Sequence, residues 1–163
     1  FDLGWMYICI LSALGLAQVK KLAPVPHLGT ARQIIDFDTL QAVIANRYDV
    51  LAGYAKTLKH LYREELGKAH NGIQFKGLKR WLAVDASAVP EDLRGRLEQL
   101  LKQSSALQTA YAMRAELVAL WERSNASREQ LIRELQDWCQ RAESSGVRQL
   151  QEISLRLRSY SLA

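Results

Sequence analysis

The hydrophobic and polar positions of this chain follow helical spacing along most of its length. In residues 36–66, apolar and aromatic side chains recur three or four positions apart, at Leu40, Ile44, Leu51, Tyr54, Leu58 and Leu61. This spacing places them on one face of a helix, with basic side chains largely on the other faces. Asp38, followed three positions later by Gln41, has the capping-box spacing. The pattern predicts one long amphipathic helix that begins at Asp38 and ends near Leu66.

The second half of the chain shows the same spacing in shorter stretches, separated by helix start and stop signals. These signals are Pro90 with Glu91 and Asp92, the Ser104–Ser105 break, Ser127 with Gln130 as a second capping box, and Gly146 as a C-cap. Leucines between these signals form apolar stripes, and Trp121 and Trp138 lie on them, so both tryptophans are predicted core residues. Short links between amphipathic helices predict an antiparallel bundle of three or four helices.

The opening segment is apolar. Residues 3–19 carry no charged side chain, Trp5 and Tyr7 stand near one end, and Lys20 and Lys21 follow the other. A membrane span needs about 20 apolar residues, so this run is at the lower limit. Aromatic side chains and lysines are typical of the membrane interface, and we expect these four residues to contact the membrane. A buried core helix is the alternative.

These patterns together predict an all-α protein with four segments. An interfacial apolar helix is expected in residues 1–22 and a linker with Pro24, Pro26 and Gly29 in residues 23–35. Residues 36–83 hold the long amphipathic helix and a basic connection, and residues 84–163 hold the helical bundle.

Composition supports a packed domain. The chain has 163 residues, 48% of them hydrophobic, which is enough for one domain with a core. Cys9 and Cys139 share no motif spacing, so neither a disulfide framework nor a zinc site is expected. Because the first residue is Phe1, we expect the chain to be a piece of a longer protein.

The net charge of +5 lies in the first half, because residues 84–163 carry equal numbers of acidic and basic side chains. Within residues 73–82, Lys76, Lys79 and Arg80 alternate with Phe75 and Trp81. Such a stretch suits an anionic lipid surface or nucleic acid. It also suits a plain connection whose tryptophan docks on the bundle, and the pattern leaves these alternatives open.

The acidic side chains of the second half do not form a recognisable catalytic pattern. Glu116, Glu122, Glu134 and Asp137 are accompanied by arginines, which favours surface ion pairs over acid–base catalysis. The sequence has no Gly-rich phosphate loop, nucleophile elbow or metal-ligand spacing.

Residues 1–24 resemble the stretch that follows the last histidine box of membrane fatty-acid desaturases of the acyl-CoA delta-9 type. An aromatic and aliphatic lead runs into LGLA and a lysine, carried by Ala13, Leu14, Gly15, Leu16, Ala17 and Lys21. The resemblance implies that the chain is the C-terminal part of a bacterial desaturase, on the cytoplasmic side of the inner membrane. The parent would insert a double bond into a saturated acyl chain with oxygen, two iron ions and an electron donor protein.

The histidine boxes of that family are absent from the sequence. His27, His60 and His70 are isolated, whereas a di-iron centre needs clustered imidazoles. The resemblance therefore implies a chain that binds no cofactor and is inactive alone. Membrane lipid and acyl substrate would be bound by the missing catalytic core.

The second half also resembles a different family. Ala106–Tyr160 is similar to the helical segment between the catalytic acids of DDE-type insertion-sequence transposases. The matching positions are Leu120, Trp121, Leu135, Trp138, Ala142, Ser145, Gly146 and Leu157. This resemblance implies the alternative function, a transposase-derived helical segment associated with DNA.

Overall fold

The computed structural model describes residues 34–67 and 75–160. The predicted interfacial helix of residues 1–22 and most of the predicted linker lie outside these ranges. Ile35–Ala163 form one compact unit. In the described part of this unit, all regular secondary structure is helical and there is no strand, which confirms the predicted all-α class.

Six α-helices follow one another along the described chain. They are α1 (Phe37–Ala45), α2 (Arg47–Leu66), α3 (Glu91–Leu101), α4 (Ser105–Glu122), α5 (Arg128–Ser144) and α6 (Arg148–Arg158). Two short 3-10 helices, Lys79–Ala83 and Ala86–Ala88, lie between α2 and α3.

The long helix predicted for residues 36–66 is divided at Asn46. The Asn46 side chain donates a hydrogen bond to the Ala42 carbonyl at 2.7 Å, and its backbone N–H donates to the same carbonyl. An asparagine side chain that competes for a helix carbonyl in this way favours the end of a helix. The chain therefore ends α1 there and begins α2 at the next residue.

The first helix also begins earlier than the predicted cap. Asp36, rather than Asp38, accepts a hydrogen bond from the Thr39 backbone N–H, at 2.8 Å. Asp38 instead lies within the first turn of α1, where its charge suits the positive end of the helix dipole. The N-cap at Ser127 is confirmed, because its side chain accepts from the Gln130 N–H, but the Gln130 side chain donates to Glu134 at 3.1 Å. The helix end at Gly146 is also confirmed, since Gly146 follows α5 with a positive φ of 76°.

The helices pack as antiparallel neighbours around one core. The start of α4 contacts the end of α2. The pairs Glu116–Arg141 and Arg123–Glu134 show that α4 and α5 run in opposite directions. A three-residue turn then brings α6 back against α5. The rings of Tyr54 and Trp138 lie at the centre, with centroids 6.3 Å apart. Trp138 is 1% exposed and donates its indole N–H to the Met113 carbonyl at 2.8 Å, so its predicted core position is confirmed.

Candidate nucleic-acid interface

The basic connection, residues 75–83, is held to the bundle by three buried side chains. Phe75, Leu78 and Leu82 are 3%, 1% and 0% exposed and belong to the main core cluster. Their spacing of three and four residues fits one face of a tightly wound segment. The turn before the 3-10 helix passes through Gly77 at a φ of 82°, a conformation that glycine adopts without strain.

The predicted cations lie on the outside of this anchored segment. Lys76 and Arg80 are exposed and Lys79 is half-buried. Lys79 and Arg80 both belong to the 3-10 helix Lys79–Ala83, while Lys76 lies in the preceding turn. The structure thus brings the three predicted basic residues together on one short, core-anchored element.

Both neighbouring aromatic rings are partly covered. Trp81 is half-buried and packs against the core, and the Arg80 guanidinium carbon lies 4.4 Å from its ring centroid. The Lys79 ammonium lies 6.0 Å from the ring centroid of Tyr62, a half-buried residue of α2. Both distances lie in the range of cation–π interactions, and these interactions hold the two cations near the surface of the segment. Trp81 is therefore docked on the bundle, as the third interpretation of this stretch predicted, while the cations beside it stay accessible.

A partly buried ion pair, between a buried arginine and an exposed aspartate, fixes the chain just after the basic connection. Arg114 of α4 donates to the Asp85 carboxylate at 2.9 Å, and the arginine side chain is only 8% exposed. Arg114 was missed as a structural residue because arginine is usually exposed. The signal was its position: Ala110, Arg114 and Leu117 are spaced four and three apart, and the other two are core residues.

The charged residues of α4 and α5 form surface ion pairs. Arg141 contacts Glu116 at 2.6 Å and Asp137 at 2.9 Å, and Arg123 contacts Glu134. These pairs line an open groove of about 660 Å³ between the two helices. The predicted ion-pair role is confirmed for three of the four acids, whereas Glu122 has no ion pair among the described residues.

The predicted membrane-contact residues Trp5, Tyr7, Lys20 and Lys21 lie outside the described residues. No described helix combines the length and the apolar composition that crossing a bilayer requires. Within the described ranges, no three histidine, cysteine or acidic side chains are grouped so as to hold a metal ion.

Comparison with known protein families assigns the chain to one of them. A transposase family model, that of the ISL3 group of DDE transposases, matches residues 40–162. Because this match covers most of the sequence, the chain belongs to this transposase family. No curated protein and no solved structure matches the chain.

The desaturase prediction is wrong. The match to a transposase family spans residues 40–162, which include most of α1, all of α2, the basic connection and the bundle, whereas the desaturase resemblance rested on residues 1–24. A short run of leucine, glycine and alanine before a lysine is compatible with many apolar helices. Caps, tryptophans and leucine stripes in a fixed order over a whole bundle specify a family far better.

Predictions derived from the desaturase resemblance fall with it. The inner-membrane location is wrong, since a transposase family match replaces the membrane enzyme from which it was inferred. The acyl substrate, the electron donor and the parent's two iron ions lose their basis for the same reason. The transposase resemblance of Ala106–Tyr160 is confirmed at the level of the family, and the match extends it to residue 40.

Proposed function

We propose that this chain is a helical segment of a transposase that binds DNA through phosphate contacts made by the basic connection. The observation that carries the proposal is the position of Lys76, Lys79 and Arg80 on one segment anchored by buried side chains. Nucleic-acid association is consistent with a transposase family. Lysine and arginine contacts to phosphates supply most of the affinity in sequence-independent DNA binding.

The arrangement favours contact with the DNA backbone rather than with bases. Stacking on bases requires an open aromatic face. Trp81 is half-buried with Arg80 over its ring, and Tyr62 is half-buried beside Lys79. The cations therefore act as phosphate ligands, and the rings act as their supports.

Salt-dependent DNA binding tests this function. Binding of a fluorescently labelled duplex is measured by anisotropy at several salt concentrations, for the wild type and for a variant with Lys76, Lys79 and Arg80 changed to alanine. The variant is expected to bind more weakly, and its log–log salt slope to be shallower by about 2 to 3, since each lost phosphate contact removes about 0.9 from the slope. Wild-type binding that does not respond to salt would overturn the proposal.

A matched control removes three cations elsewhere. Arg123, Arg128 and Arg133 are exposed residues at the beginning of α5 or just before it. Changing all three to alanine removes the same charge as the first variant. We expect the control to keep nearly the wild-type affinity, and an equal loss in both variants would show that only net charge matters.

We also propose that the chain contributes DNA contacts rather than the metal-binding acids of the reaction. Support comes from the acids of α4 and α5, because Glu116, Glu134 and Asp137 are already paired with arginines. Incubation of supercoiled plasmid with the purified chain and Mg²⁺ or Mn²⁺ is expected to leave the plasmid intact. Nicking that disappears when one of these acids is changed to alanine would contradict this assignment.

A further inference from the structure

We infer that the solvent-facing side of α2 is a second phosphate-binding strip that continues the basic connection, so that the two elements hold duplex DNA together. The inference rests on the proposed function and extends it to Lys56, Lys59 and Arg63. All three side chains are exposed. None of them belongs to the stretch from which DNA binding was first predicted.

Helix geometry places these three cations on one face. They are spaced three and four residues apart, which aligns them along a helix, and they span about 10 Å at a rise of 1.5 Å per residue. The opposite face of α2 carries the buried residues Val50, Tyr54, Leu58 and Leu61. The strip therefore faces solvent along the C-terminal half of the helix.

The acids on the same part of α2 are bound to other partners. Glu64 contacts His60 at 3.0 Å and Arg148 of α6 at 3.1 Å. Glu65 accepts a hydrogen bond from Ser104 at 3.0 Å. Among the described residues, the three cations of the strip form no ion pair, so their charge is available to a polyanion.

Tyr62 connects the strip to the basic connection. It follows Lys59 by three positions and precedes Arg63 directly, and the Lys79 ammonium lies 6.0 Å from its ring centroid. The 3-10 helix Lys79–Ala83 packs along α2. The strip and the connection are therefore adjacent. Together we call them the basic surface, and its six cations are Lys56, Lys59, Arg63, Lys76, Lys79 and Arg80.

Charge complementarity identifies duplex DNA as the occupant. A duplex presents one negative charge per about 1.7 Å of its axis, so the strip on α2, which spans about 10 Å, meets several phosphates. A single strand would need stacking platforms, and the rings of Trp81 and Tyr62 are half-buried under cations. The ring of Tyr48, near the other end of α2, is exposed, but the Arg47 guanidinium carbon lies 4.7 Å from its centroid. A cation therefore covers one face of this ring as well.

The test compares three alanine variants of the full chain. The strip variant changes Lys56, Lys59 and Arg63, the connection variant changes Lys76, Lys79 and Arg80, and the control changes Arg123, Arg128 and Arg133. Alanine favours helix, so the strip variant is expected to keep its fold, which far-UV circular dichroism and the thermal midpoint verify. Duplex affinity and salt slope are then measured by anisotropy.

We expect the strip variant to lose affinity and to show a salt slope shallower by about 2 to 3, as the connection variant does. A strip variant that binds like the control, beside a weakened connection variant, overturns the inference and leaves the proposed function standing. Three variants that all bind like the wild type overturn both. If the alanine version of the strip variant is destabilised, a second version with glutamine at Lys56, Lys59 and Arg63 is used to measure the same affinity and salt slope.

The nature of the occupant is tested with two further probes. A labelled single strand of equal length is expected to bind more weakly than the duplex. Vesicles of three parts phosphatidylcholine to one part phosphatidylglycerol are expected to compete poorly for the labelled duplex. Tighter binding of the single strand, or full competition by vesicles at lipid concentrations that match the duplex phosphate, would overturn the assignment to duplex DNA.

Discussion

Tyr54 is a polar side chain that the core accommodates by a specific hydrogen bond. It is 1% exposed, and its hydroxyl donates to the Ala110 carbonyl of α4 at 2.6 Å. Burial raises the pKa of Tyr54 well above its usual range, so the hydroxyl remains a donor. The bond fixes α2 against α4 at the point where the two helices meet Trp138.

Changing Tyr54 to phenylalanine is expected to lower the free energy of unfolding by about 1 kcal/mol, the usual net value of such a bond. Urea denaturation followed by circular dichroism measures the loss. Tyr48→Phe is the control, since that side chain is 72% exposed and its change is expected to cost less than about 0.5 kcal/mol. Equal losses in the two variants would contradict a specific role for the Tyr54 hydroxyl.

Cys139 is expected to be chemically silent in the folded chain. It is 0% exposed, and burial raises the pKa of its thiol to about 11, although the neighbouring Ser154 opposes the shift. At pH 8 only about one thiol in a thousand is then the reactive thiolate. In a Cys9→Ser background, labelling by a chromogenic disulfide reagent should be slow and should rise with the urea-unfolded fraction. Rapid stoichiometric labelling without urea would refute this expectation.

At the scale of helices, two serine caps allow a controlled comparison. Ser104 caps α4 by accepting from the Leu107 N–H at 3.2 Å, and Ser127 caps α5 by accepting from the Gln130 N–H at the same distance. Only Ser104 also donates to Glu65 of α2. Ser127→Ala is expected to cost about 1 kcal/mol, the usual value of a cap. Ser104→Ala should cost about 1 kcal/mol more, because it also breaks a bond to a charged group.

The comparison is made by urea denaturation of both variants. Adding Glu65→Gln to each serine variant separates the two contributions. The glutamine should weaken the wild type and the Ser127→Ala variant by similar amounts and should have a smaller effect after Ser104→Ala. Equal effects in all three backgrounds would show that the bond between Ser104 and Glu65 contributes nothing.

Much of the helical architecture was predictable, because local signals determine it. Ser127, Gly146 and the Ser104–Ser105 break mark helix ends in the sequence as they do in the structure. Asp36 and Asp38 are both good N-cap residues, so composition alone does not choose between them. Ile35 and Leu40 hold the positions of a hydrophobic staple around a cap at Asp36, and both are buried. Packing of these two side chains in the core therefore makes Asp36, rather than Asp38, the N-cap of α1.

The candidate interface was only half predictable. Lys76, Lys79 and Arg80 lie within five positions of the sequence, so they are recognisable there as a basic stretch. Lys56, Lys59 and Arg63 look like the ordinary polar face of an amphipathic helix, and their proximity to the basic connection depends on Lys79 packing at Tyr62. That contact depends on where the basic connection packs on α2, which periodicity does not specify.

At the scale of the whole molecule, all six helices and the basic connection share one core. The cluster of buried residues runs from Ile35 to Leu157 and includes side chains from every described α-helix. A single contiguous core predicts cooperative unfolding, in which no helix is lost separately. The basic surface is expected to unfold with the rest of the bundle, because α2 and the 3-10 helix Lys79–Ala83 both contribute side chains to the core.

Leu150 provides the sharpest test of this cooperativity, because it lies in the last helix and is 0% exposed. Leu150→Ala is expected to lower the free energy of unfolding by about 2 to 5 kcal/mol, the range for truncating a buried leucine. In a Trp5→Phe background, tryptophan fluorescence reports on Trp81, Trp121 and Trp138, which lie outside α6. If the core is one unit, fluorescence and circular dichroism will shift to the same lower urea midpoint.

The exposed neighbour Glu152 serves as the control, and Glu152→Ala should change stability by less than about 0.5 kcal/mol. A circular dichroism transition that precedes the fluorescence transition in Leu150→Ala would mean that α6 unfolds by itself. In that case the strip on α2 would be supported by the other five helices alone, and DNA affinity would survive the loss of α6. Coincident transitions instead predict that the DNA binding proposed for the basic surface is lost together with the bundle, since both elements that carry its six cations belong to the same core.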